Sequence, residues 1–149
     1  MSELSLAPVN VMVVFYSRYG ETERLALAAG LGAVEARANI RLRRLKDLAN
    51  AGTIERDPRW TENLERMLAD YIAPREIEAD WADVILVASS PDSPAEMEQY
   101  LKALEMDAGN HKALKIVHVM DDPADRMASA RAQGKKAVEA ARLRKTLSE

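Results

Sequence analysis

The run Ser17-Arg18-Tyr19-Gly20-Glu21-Thr22 places two hydroxyls and a glycine directly after a continuous apolar stretch, Val11 to Tyr16. Backbone N–H groups in such a turn, added to the unpaired N–H groups and positive dipole end of a following helix, form a site for a phosphate. The spacing is neither the Walker pattern nor Gly-x-Gly-x-x-Gly, because only one glycine lies in the loop. A second set of candidates, Ser89, Ser90, Pro91 and Asp92, follows another apolar run, Ala82 to Ala88. Open α/β sheets bind ligands there, at the carboxyl ends of their strands. Ser93 and Glu96 at capping-box spacing, with Pro94 at a first helical position, assign part of the same stretch to a helix start instead. Asp121 and Asp122 form a small acidic pair, and His111 and His118 have no second ligand at metal spacing.

These residues need elements to position them. A β-favouring run over 10–16 suits a strand buried on both faces, which implies a parallel sheet between helix layers. From Thr22 to Ala36, the small residues Ala28, Ala29, Gly32, Ala33 and Ala36 recur at helical spacing with Leu25, a stripe that lets a helix lie close against the sheet. Ile40 and Leu42 mark a more exposed strand over 39–45, at a sheet edge with its arginines toward solvent. Trp60, Leu64, Met67, Leu68, Tyr71 and Ile72 give an amphipathic helix that Pro74 ends. Strands over 83–89 and 114–120 follow, separated by a helix to about Glu105 with Met97, Leu101 and Leu104 inward and a turn over 107–111. A closing helix spans Ala124 to Leu147, its inner stripe being Met127, Ala130, Gly134, Ala137, Val138 and Ala141. Strand and helix alternate four times, so the expected architecture is an open α/β sheet of four parallel strands joined by right-handed crossovers, with helices on both faces.

Composition narrows the function. The 149 residues are 48% apolar, enough for one core, and a single domain over 1–149 is expected. A net charge of −3 with both signs interspersed offers no basic field for nucleic acid and no polybasic patch for a membrane. There is no cysteine, which excludes disulfides, thiolate metal sites and a cysteine nucleophile. Residues 1–10 lack the features of a signal peptide, and no run approaches a membrane span, so a cytoplasmic protein with small-molecule or protein partners is expected.

At the opening loop the sequence resembles flavodoxins, whose phosphate loops end Gly-Asn-Thr-Glu, matched here by Gly20-Glu21-Thr22-Glu23. It is more similar still to the WrbA type of NAD(P)H:quinone oxidoreductase. Tyr16-Ser17-x-Tyr19-Gly20, the Trp60-to-Met67 helix, Ala79-Asp80-Trp81-Ala82-Asp83 and the closing Ala130-Arg131-Ala132-Gln133-Gly134 carry that likeness. The resemblance implies a flavodoxin-like fold, its four strands wound in the order 2-1-3-4, and FMN as cofactor, held by Ser17 to Thr22 and by Ser89 to Asp92. It also implies electron transfer from a nicotinamide to a quinone, and homo-oligomers. In such an enzyme the flavin does the chemistry, and no protein acid or base is obligatory.

Two departures set the alternative. Ser90-Pro91-Asp92-Ser93-Pro94 stands where that family has a Thr-Pro-Thr-Arg-Phe-Gly type of loop. Met120-Asp121-Asp122-Pro123 runs almost directly into the final helix, where the family has a long flavin-binding segment and a fifth strand. The alternative is a flavodoxin-like module that has lost tight flavin binding and acts in interaction or assembly. Asp121 and Asp122 also resemble the acidic cluster of receiver domains. Such a domain, however, needs its acidic pair after the first strand, where this chain has Tyr16 and Ser17.

Overall fold

Every residue from Val11 to Phe15 is fully buried, and this run is the inner part of β1 (Asn10–Phe15). The computed structural model describes residues 7–89, 95–106 and 115–148. Within them β1 is followed by α1 (Glu21–Glu35), β2 (Asn39–Arg44), α2 (Ala51–Glu55), α3 (Pro58–Asp70) and α4 (Glu76–Trp81). Then come β3 (Val84–Ala88), α5 (Ala95–Met106), β4 (Ile116–His118) and α6 (Arg126–Ser148). The strands form one parallel sheet in the order β2-β1-β3-β4, the order that flavodoxin-like winding implies. Val13 sits between Leu42 and Leu86, and Leu86 between Val13 and Val117.

Alternation along β1 separates two cores. Val11, Val13 and Phe15 pack with α1 and α6, whereas Met12, Val14 and Tyr16 pack with Ala79 of α4 and Met97 and Leu104 of α5. On the first face α1 and α6 touch backbone to backbone. A Cβ on Gly32 would stand 1.8 Å from the Arg131 carbonyl oxygen, and one on Gly134 would stand 1.9 Å from that of Ala29. Only glycine fits at either place, and that is the physical reason for the small-residue stripes on both helices. None of the helices among the described residues is long and apolar enough to cross a membrane.

Several local expectations are corrected. The arginines of β2 are not at the solvent side. Arg44 is 4% exposed, and Arg41 and Arg43 bind Glu78, whose side chain has no exposed surface. Arg43 donates to Glu78 through Nε and Nη2 at 2.7–3.1 Å. Burial pushes the Glu78 carboxyl up, but the Arg43 hydrogen bonds and charge and the Arg75 N–H outweigh it and bring it down to about 2. Residues 76–81, given no element by the sequence pattern, form a short helix at whose start Glu78 Oε1 accepts the Arg75 N–H at 2.9 Å. The helix expected over 60–72 begins earlier and ends earlier. Asp57 accepts the Trp60 N–H and Pro58 occupies the first turn, while Tyr71 is extended and Ile72 makes a parallel bridge to Arg43. The helix is therefore over before Pro74. At the other end of the chain, α6 starts at Arg126, so Met127 lies in the first turn, 42% exposed rather than inward. The turn over 107–111, Leu114, and Ser93 and Pro94 of the capping box lie outside the described residues. Glu96, the box's other member, gives a carboxylate oxygen to the Leu48 N–H at 3.0 Å.

Candidate functional site

The carboxyl end of β1 delivers Tyr16 and Ser17, both buried, into a turn that reverses at Gly20. Ser17 Oγ accepts the Gly20 N–H at 2.9 Å, and Gly20 has φ 95°, the left-handed conformation that glycine adopts without cost. Gly20 is also the N-cap of α1, so Glu21, Thr22 and Glu23 form the first turn, with two carboxylates at the positive end of the helix. Ser17, Arg18, Tyr19, Gly20, Glu21 and Thr22 thus assemble as one loop between strand and helix. Thr22 is 7% exposed, whereas the Glu21 side chain is 74% exposed and only loosely tied, 3.4 Å from Arg59.

Ser89 ends β3 and meets this loop across a cleft of about 610 Å³, whose walls include Glu21, Thr22, Arg24, Asp121 and Arg126. Ser90, Pro91 and Asp92 lie outside the described residues. The cleft's carboxylates are Glu21, Asp121 and Asp125 and its cations Arg24 and Arg126, and Arg126 is already paired with Asp121 at 3.3 Å. Beside it, where β4 turns toward α6, Gln133 closes the backbone. Its side chain accepts the Met120 N–H at 2.7 Å and donates to the Met120 carbonyl at 2.8 Å. No group of acidic or histidine side chains among the described residues is placed to hold a metal.

A second layer of the site was not foreseen. Arg44 comes up from the end of β2 beneath the loop and donates from Nη2 to the Ser17 carbonyl at 2.7 Å. Asp47 holds its guanidinium at 3.1 and 3.3 Å, and also accepts the Tyr16 hydroxyl at 2.7 Å and the Trp60 indole N–H at 3.1 Å. The Arg44 Nε has no hydrogen-bond partner among the described residues. From above, α3 lies over the turn. Arg18 stacks on the Trp60 ring at 4.1 Å and Arg59 on the Tyr19 ring at 4.4 Å. Asp57 accepts the Tyr19 hydroxyl, and Arg66 comes within 3.2 Å of where a Gly20 Cβ would be. Glu23, 5% exposed, takes two hydrogen bonds from Arg66 and one from the Tyr71 hydroxyl. Burial raises its pKa, but those bonds prevail and hold the carboxyl below its usual range. Sequence periodicity marks Trp60 and Met67 as apolar helix positions. Nothing in it shows that Asp57, Arg59 and Arg66 face the loop.

A phosphate needs the loop backbone and the helix end, which are present. An isoalloxazine ring needs apolar walls and backbone donors for its polar edge. On the described part of that side, the backbone polar groups of Met120 are already paired within the chain, and the cleft carries an excess of carboxylate.

No family model matches the chain, and no curated protein matches it. Among solved structures it is similar to the flavodoxin-like domain of a Synechococcus protein, at 19% identity and a TM-score of 0.43, over 87% of this chain and 96% of that one. It is also similar to a mutant of YwlE from Bacillus subtilis, at 13% identity and a TM-score of 0.36 over 95% and 99% of the two chains. A third similar structure is the YwlE arginine phosphatase of Geobacillus stearothermophilus, at 11% and 0.37 over 95% and 94%. Likenesses of this degree carry no argument. The four-stranded parallel sheet in the order β2-β1-β3-β4 between helix layers is a doubly wound α/β fold, its order that of the first four strands in flavodoxin-like winding.

Proposed function

We propose that this chain is a flavodoxin-like module whose β1–α1 loop accepts a phosphate-type anion but which has lost tight flavin binding, and that it acts in interaction or assembly. The observation that carries this reading is the Gln133 clip on Met120, which occupies the backbone groups at the corner where a ring edge would need donors. The exposed Glu21 side chain can turn to solvent, which relieves the roughly 4 kcal/mol by which two like charges about 4 Å apart repel at an effective dielectric of 20 and leaves the loop able to take a phosphate.

A second reading rests on the loop itself. The Ser17–Gly20 hydrogen bond and the left-handed Gly20 favour a working phosphate cradle. With FMN there and its ring walled by a neighbouring subunit, the chain would be a WrbA-like NAD(P)H:quinone oxidoreductase. In that reading the flavin supplies the electron-transfer chemistry, and Ser17 to Thr22 only hold its phosphate.

Titrating the apo-protein with FMN while following flavin fluorescence separates the two. The module reading expects no saturation below tens of micromolar FMN, with inorganic phosphate competing for the loop. Stoichiometric quenching at sub-micromolar FMN, with a yellow protein that oxidises NADH or NADPH when given a quinone, overturns it in favour of the enzyme.

A further inference from the structure

From Leu25 to Val34, α1 reads Leu-Ala-Leu-Ala-Ala-Gly-Leu-Gly-Ala-Val, ten residues without a polar side chain. A helix that is apolar on all sides is one covered on all sides, because a helix with one solvent face carries polar residues there. Among the described residues of one chain, however, this stretch of α1 is covered on its sheet and α6 sides. Leu27, Leu31 and Val34 lie one turn apart on its outer face at 42%, 49% and 47% exposure, and Met127 of α6 adds 42% beside them. Leu31 and Met127 border a groove of about 550 Å³ between the two helices, floored by alanines. A contiguous apolar surface with charged residues at its rim marks a docking site.

The rim identifies the occupant. At the start of the groove stands Asp125, and in the segment 121–126 three acids outnumber the single Arg126. At the far end Glu35 is paired with Arg131, and Lys135 leaves that end positive. A groove negative at one end and positive at the other is complementary to itself turned around. We infer that the α1–α6 face is a two-fold interface with a second copy of this chain, its α1 helices antiparallel, the Leu27–Leu31–Val34 stripe of each filling the groove of the other. The two-fold axis then sets Asp125 of each copy against Lys135 of the other, an isologous arrangement. The interface does not involve the β1–α1 loop's ligand, so it holds whether or not FMN binds.

Sedimentation velocity at 20–100 µM tests it on the full chain. The wild type is expected to sediment at twice the 16.5 kDa chain mass. Leu31→Glu should sediment as a single chain with unchanged far-UV circular dichroism, because position 31 is half exposed and glutamate is a good helix former. Asp125→Lys and Lys135→Asp should each weaken the dimer roughly threefold to tenfold, as exposed ion pairs do. The double exchange should restore it, a rescue that a purely structural role for either residue would not give. These charge variants leave the apolar contact in place and keep the inference testable should Leu31→Glu fail to fold. A wild type that stays monomeric at 100 µM, or a double exchange no better than its single components, overturns it.

Discussion

Over β1 and β2 the carboxyl end of the sheet is closed by a polar network centred on Asp47, whereas over β3 and β4 the described closure is one glutamine amide. In the first half, Arg44, Tyr16 and Trp60 converge on a single carboxylate, and α3 adds stacked arginines and the Glu23–Arg66–Tyr71 cluster. In the second, β4 has three residues in the ladder, and Gln133 secures the strand's exit at Met120. Among the described residues, the half over β1 and β2 is over-determined, whereas the half over β3 and β4 is held by few side-chain bonds.

Removing Asp47 breaks the first half and carries the largest expected effect. The Arg44 side chain is 3% exposed and that of Asp47 7%, so Asp47→Ala strands a buried guanidinium and leaves the Tyr16 hydroxyl and Trp60 indole without an acceptor. Breaking a buried pair from one side costs about 3–5 kcal/mol. Urea unfolding should show a loss in that range, with Asp47→Asn losing less because an amide oxygen still accepts. A loss below 1 kcal/mol would mean that Asp47 is not the centre of the network.

How much of this was legible in the sequence follows from what period and pattern encode. Val11 to Tyr16 and Val84 to Ala88 are apolar without interruption, and the small residues of α1 and α6 repeat at helical spacing, so the buried strands and the helix faces against them could be read directly, whereas the strand order rested on crossover handedness and flavodoxin-like winding. The loop Ser17 to Thr22 was legible because its residue types are local to one turn. Arg44 and Glu78 were not: a charged residue, whether in a strand or in a short helix, reads as solvent-facing, and its burial depends on a partner at a distance in sequence that no local pattern reveals. Met127 misled for a related reason, since it fits the inner stripe by spacing but falls in the first turn, where α6 has not yet reached the sheet.

Acid sharpens the comparison, because the buried pairing of the β2 half continues down the strand to Glu78. Its carboxyl is held at about 2 in the folded chain, against an ordinary value of 4.5. A depressed carboxylate stabilises the fold above its unfolded pKa, and that contribution disappears as pH falls from about 5 toward 2. Allowing for solvent screening of the partly exposed Arg41 and Arg75, the loss should be about 2 kcal/mol. Measuring unfolding free energy between pH 7 and pH 3 should give a steeper fall in the wild type than in Glu78→Gln, whose amide has no proton to gain. Parallel curves for the two proteins would place the acid sensitivity elsewhere.

The smallest effect expected is at the other half, and it bears most directly on function. Gln133 offers one acceptor and one donor to Met120, both used at hydrogen-bond distance, and its amide nitrogen also lies 3.1 Å from Ser129 Oγ. Gln133 is half-buried on α6 and Met120 is 68% exposed, so water can replace the lost partners when Gln133→Ala removes them. Each such bond contributes roughly 0.5–1.5 kcal/mol where water is excluded and less where it is not, which puts the stability loss near 1 kcal/mol. The local effect should exceed the global one. Amide exchange at Met120 should accelerate by about tenfold, the factor that corresponds to about 1.4 kcal/mol of local opening, while exchange in β1 keeps pace only with the change in global stability. If Gln133 is what occupies the ring corner, the same substitution should also raise FMN affinity, because the Met120 N–H becomes free to meet a ligand. Unchanged exchange at Met120 would show that the strand's exit is held by something other than this amide, and would remove the observation on which loss of tight flavin binding rests.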